Sequence, residues 1–159
     1  MTLQLKGLLA GSDRPELGDA CPIDRASSLV ARRSTILLLR EASYGTTRFD
    51  EFVTRTGLTE SVTANQLRNL VSEGLLVKVP YQEPSQRQRF EYALTEAGHD
   101  LVPIVMALGE WGEKHRPRTN WLGLTHADCG ARVHMALTCE AGHAVREPDV
   151  VVSLEHRQP

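Results

Sequence analysis

Asn65 and Arg68 stand three residues apart in one stretch of the chain, and Arg87 and Arg89 stand two apart in the next. An arginine fork matches the two major-groove acceptors of guanine, and an asparagine amide matches the acceptor and donor of adenine. On a helix beginning at Glu60, Ser61, Ala64, Asn65 and Arg68 fall on one face, while Thr63, Leu67, Leu70 and Val71 share the other. The first face is suited to reading base edges, with Ser61 and Asn69 placed for phosphate. Arg87 and Arg89, with Gln86 and Gln88 as added donors, lie at the tip of an expected hairpin. There they can grip phosphates or enter a narrow minor groove. A solvated helical face and an ordinary charged turn are the plain alternatives. The order of helix and then basic-tipped hairpin favours contact with double-stranded DNA.

Two further groups carry possible chemistry. Cys21 precedes Pro22 at an expected helix start, where helix-end amides and the dipole favour a thiolate. It reads either as a thiol sensor or as a structural cap. Near the C-terminus His126-x-x-Cys129 and Cys139-x-x-x-His143 offer two imidazoles and two sulfurs in paired knuckles. Such a set could hold zinc tetrahedrally, with Gly130 and Gly142 supplying tight turns. The alternative is a metal-free β appendage. His99, His115, His134 and His156 are scattered and carry no readable chemistry. No Ser/His/Asp arrangement, paired-carboxylate motif or phosphate-cradling glycine loop occurs, so an enzyme is not expected.

The elements that must position these residues follow from periodicity and punctuation. Residues 1–20, with Gly7, Gly11, Pro15 and Gly18, read as an N-terminal arm without defined structure. A helix should start at Pro22, whose missing N–H costs nothing in a first turn, with Ile23, Ala26, Leu29 and Val30 at helical spacing. A second helix spans the apolar run 35–39 and ends near Gly45. Thr46 to Phe49 allows only a short strand. Asp50 to Thr56 suits a two-turn helix with Phe52 and Val53 inward, closed by Gly57. Thr59 should cap a helix running to about Glu73, completing a helix-turn-helix unit. Strands over Leu75 to Tyr81 and Arg89 to Leu94 flank a turn at Pro84-Ser85. Thr95 then caps a long helix with Leu101, Ile104, Val105, Leu108 and Trp111 as its apolar stripe, kinked at Pro103. Residues 116–120 read as a linker. Alternation at Val133, Met135 and Leu137, and again at Val150, Val152 and Leu154, predicts two half-buried strands.

With 159 residues, 41% hydrophobic and 24% charged, the chain can build one domain plus a small appendage. No apolar run is long enough for a membrane span, and the N-terminus lacks a secretory signal, so a cytoplasmic protein is expected. Net charge is −2, but residues 23–92 hold ten Lys/Arg against eight Asp/Glu, and the remainder eight against twelve. That asymmetry leans toward nucleic acid. Three widely separated cysteines fit reduced thiols better than a disulfide framework.

The pattern resembles the HxlR-type winged helix-turn-helix regulators. The matching residues are Cys21-Pro22-Ile23, Arg48-Phe49, Leu58-Thr59, Leu67-Arg68-Asn69-Leu70, Glu73-Gly74-Leu75 and Arg89-Phe90-Glu91-Tyr92-Ala93-Leu94-Thr95 with Gly98. Pro103 and Glu110-Trp111-Gly112 extend the likeness to about residue 113. Departures are Arg33-Ser34-Thr35 where the family usually has Gly-Lys-Trp, Thr63 where it has leucine, and no basic residue near Ser61. The expected fold is mainly α with small β content (α+β): an arm over 1–20, a winged helix-turn-helix and dimerisation domain over 21–116 as the resemblance implies, and a small β-rich extension over 117–159. The resemblance implies a homodimeric DNA-binding transcription factor; a sequence-specific repressor on an inverted-repeat operator is expected, because a bound dimer can block polymerase without a further contact surface. Pairing would run through the N-terminal and long C-terminal helices, and Arg48 would join the DNA contacts. In some members a cysteine at the place of Cys21 senses oxidants. Two alternatives stay open: a winged-helix module that has exchanged DNA for a protein partner, and a thiol- or zinc-responsive variant.

Overall fold

The computed structural model describes residues 2–82, 84, 87–119 and 122–154. Among these residues six α-helices carry the fold: α1 (Pro22–Val30), α2 (Arg33–Ser43), α3 (Phe49–Thr56), α4 (Glu60–Ser72), α5 (Glu96–Asp100) and α6 (Val102–His115). Between α4 and α5 runs an antiparallel hairpin of two strands, Leu76–Tyr81 and Arg89–Leu94, registered from Leu76 opposite Leu94 to Tyr81 opposite Arg89. The class is mixed, mainly α with small sheets, and its centre is a winged helix-turn-helix.

Local chemistry explains the boundaries. Pro22 opens α1, and Gly57 closes α3 in the left-handed region at φ 65°, a conformation glycine adopts without steric cost. The Thr59 hydroxyl accepts from the Val62 amide at 3.4 Å and caps α4. Thr95 does the same for α5, accepting from Gly98 N–H at 3.1 Å while donating to the Gly74 carbonyl at 2.6 Å. One threonine therefore fixes both a helix start and the end of the preceding helix–strand turn.

The core is a single cluster: Leu38 and Leu39 from α2, Phe52 from α3, Leu67 and Leu70 from α4, and Leu75, Leu76 and Tyr92 from the turn and hairpin. Phe52 meets Tyr92 edge-on, with ring centroids 6.2 Å apart and planes at 84°. Burying a side chain such as Phe52 contributes about 1.5–3 kcal/mol, so this cluster locks the hairpin and α4 into one rigid unit. The segment between α2 and α3 forms no strand. It meets the hairpin through one backbone bond, from Tyr92 N–H to the Thr47 carbonyl, 2.9 Å.

Four further expectations need correction. Residues 1–20 are not a structureless arm. Strand β1 (Gln4–Leu5) pairs in parallel with β6 (Val151–Val152), and Leu9 is buried in a short 3-10 turn over Gly7–Ala10. The hairpin strands are accordingly β2 and β3. Second, the long helix is not one kinked rod: it divides at Leu101, and Pro103 falls in the first turn of α6, where its absent N–H leaves no bond unmade. Third, its apolar stripe is divided. Leu101 and Val105 pack on the core, whereas Ile104, Leu108 and Trp111 are 51%, 49% and 56% exposed. Fourth, among the described residues the extension has only two-residue strands, β4 (Leu137–Thr138) against β5 (Ala144–Val145), besides β6 and a bridge from Thr125 to Arg132. Leu137 is exposed, so the alternation at Val133, Met135 and Leu137 does not become a half-buried strand.

Candidate nucleic-acid interface

Helix α4 divides as its sequence period requires. Thr63, Leu67 and Leu70 are buried, and Val71 is half-buried against the core. Ser61, Asn65, Arg68 and Asn69 are exposed, with Ala64 half-covered among them. The only large apolar side chain exposed on α4 among the described residues is Val62, at 38%. A polar outer face of this kind suits an aqueous, hydrogen-bonding partner and does not favour an apolar protein-docking surface.

The face has internal order. The Arg68 guanidinium donates to the Asn65 side-chain oxygen one turn earlier, and its charge also reaches Tyr92. Burial pushes the Tyr92 hydroxyl above its ordinary value, and Arg68 pulls it partly back. Arg68 therefore sits where the recognition helix meets the hairpin. Lys78, directly across from Tyr92 in the hairpin, holds its ammonium 5.8 Å from the Phe90 ring and 5.9 Å from the Tyr92 ring. This basic group was not singled out from sequence, because a lysine in a strand gives no sign of which face it takes until the register is known.

Arg87 and Arg89 are exposed at the far end of the hairpin, as is Gln88. The turn assigned to Pro84-Ser85, and the donor assigned to Gln86, involve positions outside the described residues. Arg48 is placed differently from the other arginines. It precedes α3, lies 3.4 Å from a Glu91 carboxylate oxygen, and stacks its guanidinium 5.0 Å from the Tyr81 ring centroid. Glu91 and Tyr81 alternate with Lys78 and Tyr92 along the hairpin and so occupy its opposite face. Arg48 thus braces the outer half of the hairpin, near its tip, and a DNA contact from it would have to compete with Glu91.

Cys21 occupies the predicted position before α1, partly exposed, and its side chain makes no cap hydrogen bond. The two C-terminal knuckles form as separate turns. The Cys129 amide donates to His126 Nδ1 at 3.4 Å, and the Gly142 amide donates to the Cys139 carbonyl at 2.8 Å. Among the described residues no three His, Cys, Asp or Glu side chains make a group that could hold a metal ion. The structure does not bring His126, Cys129, Cys139 and His143 together. His156 lies outside the described residues.

A different contact docks the extension. Glu110 on α6 accepts from the Met135 amide at 2.8 Å and lies 2.9 Å from His134 Nδ1. The Met135 bond, followed by the His134 bond, holds its carboxyl below the ordinary glutamate range. No helix among the described residues is long and apolar enough to cross a membrane.

The comparisons agree with this architecture. The HxlR-like helix-turn-helix family profile matches residues 29–120. The uncharacterised HTH-type transcriptional regulators Rv3095 of Mycobacterium tuberculosis and Mb3122 of Mycobacterium bovis are 37% identical over 133 residues, 82% of this chain and 83% of theirs. That length exceeds the family match, so the likeness reaches into the segments flanking it. Among solved structures, PA1607, named as a candidate transcription factor, superposes with a TM-score of 0.76 at 32% identity, over 87% of this chain and 98% of its own. The redox regulator HypR in its oxidised form superposes at 0.55 with 31% identity, over 60% of this chain and 98% of its own. With a family match over more than half its length, an exposed polar recognition helix and a hairpin beside it, the chain belongs to the HxlR-like helix-turn-helix family of DNA-binding transcriptional regulators.

Proposed function

We propose that the protein is a repressor that binds an inverted-repeat operator as a homodimer in the cytoplasm. The observation that carries this reading is α4. Its exposed face holds Ser61, Asn65, Arg68 and Asn69 while Thr63, Leu67 and Leu70 on the opposite face are buried, so the helix can enter a major groove without disturbing the core. Asn65 and Arg68 read base edges, Ser61 and Asn69 hold phosphates, and Ala64 allows close approach. Arg87 and Arg89 straddle the neighbouring backbone or narrow minor groove. Support for a dimer comes from two exposed apolar helix faces: Ile23 (76%) and Leu29 on α1, and Ile104, Leu108 and Trp111 on α6. Apolar faces of this size on helices flanking a DNA-reading unit are stabilised by a second copy. Two copies related by twofold symmetry place their recognition helices in successive major grooves, about 34 Å apart. A bound dimer blocks polymerase without any further contact surface, which favours repression.

The test is a gel-shift titration against the DNA upstream of its own gene, at two salt concentrations, with Arg87→Ala alongside. Specific retention by a dimer, with Arg87→Ala weakening all sequences alike and flattening the salt dependence by about one charge, supports the reading. Binding that is absent at both salts, or a monomer at micromolar concentration, removes it.

A second reading gives Cys21 a thiol-sensing role. It is supported by a partly exposed sulfur free of cap bonding at the start of α1, and by likeness to a protein named as a redox regulator. Diamide should release the protein from DNA, and Cys21→Ser should abolish that release. Unchanged release in the variant ends this reading.

A further inference from the structure

A cleft of about 740 Å³ opens between α2, α6 and the C-terminal extension. Its volume lies within the range of small-molecule sites, roughly 300–1,000 Å³. Val105, Leu124 and Val133 give it apolar walls, and its polar lining is unbalanced, with five cationic side chains against two carboxylates. One of those carboxylates, Glu110, is already engaged by Met135 N–H and His134. Among the described residues neither Arg116 nor Arg118 has an ion-pair partner. Cations in the last turn of α6 complement the helix C-terminus, which accounts for Lys114. It does not account for Arg118 beyond the helix.

The cleft and the apolar face of α6 are different surfaces. At 100° per residue, Ile104, Leu108 and Trp111 cluster on one side of the helix. Val105, Gly109 and Gly112, which line the cleft, cluster roughly a third of a turn away. A partner on the first face leaves the second open. Gly109 and Gly112 have no neighbour within 4 Å of an added Cβ, so side chains there would project into space the cleft now leaves free.

We propose that this cleft binds a small organic anion, a carboxylate or sulfonate carried on an apolar body. The apolar walls desolvate the body, and Arg116 and Arg118 hold the acid group by charge-assisted hydrogen bonds. A nucleic-acid backbone has no use for the apolar walls, and a neutral apolar ligand has none for the arginines.

The full chain is titrated with 1-anilinonaphthalene-8-sulfonate, followed by fluorescence. We expect saturable binding at one site per chain, displaced by 4-tert-butylbenzoate but not by 4-tert-butylbenzyl alcohol. Arg116→Glu with Arg118→Glu should weaken binding at least tenfold, with operator affinity and thermal midpoint unchanged. Gly109→Leu, a favourable change for helix formation, should weaken it similarly by filling the cleft, and circular dichroism checks that each variant is folded. The proposal is overturned by any of three results in folded variants: binding unaffected by both, displacement by the alcohol equal to that by the acid, or loss of operator affinity in the charge-reversed protein with dye binding intact. The last result would assign the arginines to DNA. Failure of DNA binding in the unaltered chain would leave the dye titration unaffected, so the two readings fall separately.

Discussion

Arg68 donates a hydrogen bond to the side chain of Asn65 one helical turn before it, so the two proposed base readers hold each other in place before any DNA arrives. Such ordering lowers the entropy to be lost on binding. Arg68→Ala should therefore cost about 1–3 kcal/mol and blur discrimination at one base pair. Because Asn65 loses its partner in the same variant, adding Asn65→Ala should cost less than it does alone. Competition binding against a panel of single-base operator variants measures both effects. Equal losses on every sequence would remove Arg68 from the base-reading set.

Thr63 is fully buried, and its hydroxyl has no hydrogen-bond partner among the described residues. A buried unsatisfied hydroxyl costs about 1–3 kcal/mol, and removing it without changing shape recovers part of that. Thr63→Val should accordingly raise stability by about 1 kcal/mol in urea unfolding, with the exposed face of α4 and its DNA affinity untouched. Leucine at the same site adds volume to a closed space and should gain less, since overpacking costs about 1–3 kcal/mol.

Gly98 is required by a close approach. A Cβ there would stand 2.2 Å from the Leu75 carbonyl oxygen and 2.9 Å from Leu94 Cδ2. Backbone and a packed strand cannot both yield, so Gly98→Ala should destabilise by about 1–3 kcal/mol, even though alanine is the better helix former by about 1 kcal/mol. Chemical denaturation shows the sign directly: a stabilised variant would mean that α5 can lift from the hairpin freely.

Glu110 links α6 to the extension with a depressed pKa, caused first by the Met135 amide and then by His134, with the charge of Arg132 adding to it. A group whose folded value lies below its unfolded one stabilises fully above the unfolded value and loses that contribution as pH falls through the folded value. Protection of the Met135 amide against hydrogen exchange should thus hold above the ordinary value of 4.5 and decline in more acid solution. Glu110→Gln should lower protection at neutral pH and flatten its acid dependence. Protection that declines identically in both proteins would place the titrating group elsewhere.

Much of this architecture was legible because it depends on local rules. The period of α4 puts Leu67 and Leu70 inward and Arg68 outward whatever the rest of the chain does. Gly57, Thr59 and Thr95 end or begin helices through conformations and cap bonds that span only a few residues. The pairing of Leu76–Tyr81 with Arg89–Leu94 follows from two β-rich runs close in sequence, where closing the loop costs little. For the same reason the candidate DNA-reading residues could be named before the structure was known.

The residues alone thus determined the helix-turn-helix, its hairpin and the polar surface they share, since each rests on bonds between residues close in the chain. Only the tertiary structure decided that Gln4–Leu5 lies beside Val151–Val152, that Glu110 anchors Met135, and that Arg48 braces Glu91. It also decided which half of the α6 stripe is buried, because periodicity marks a face as apolar without saying what will cover it. Those outcomes depend on where distant segments come to rest once the core has closed, and no local preference encodes that position.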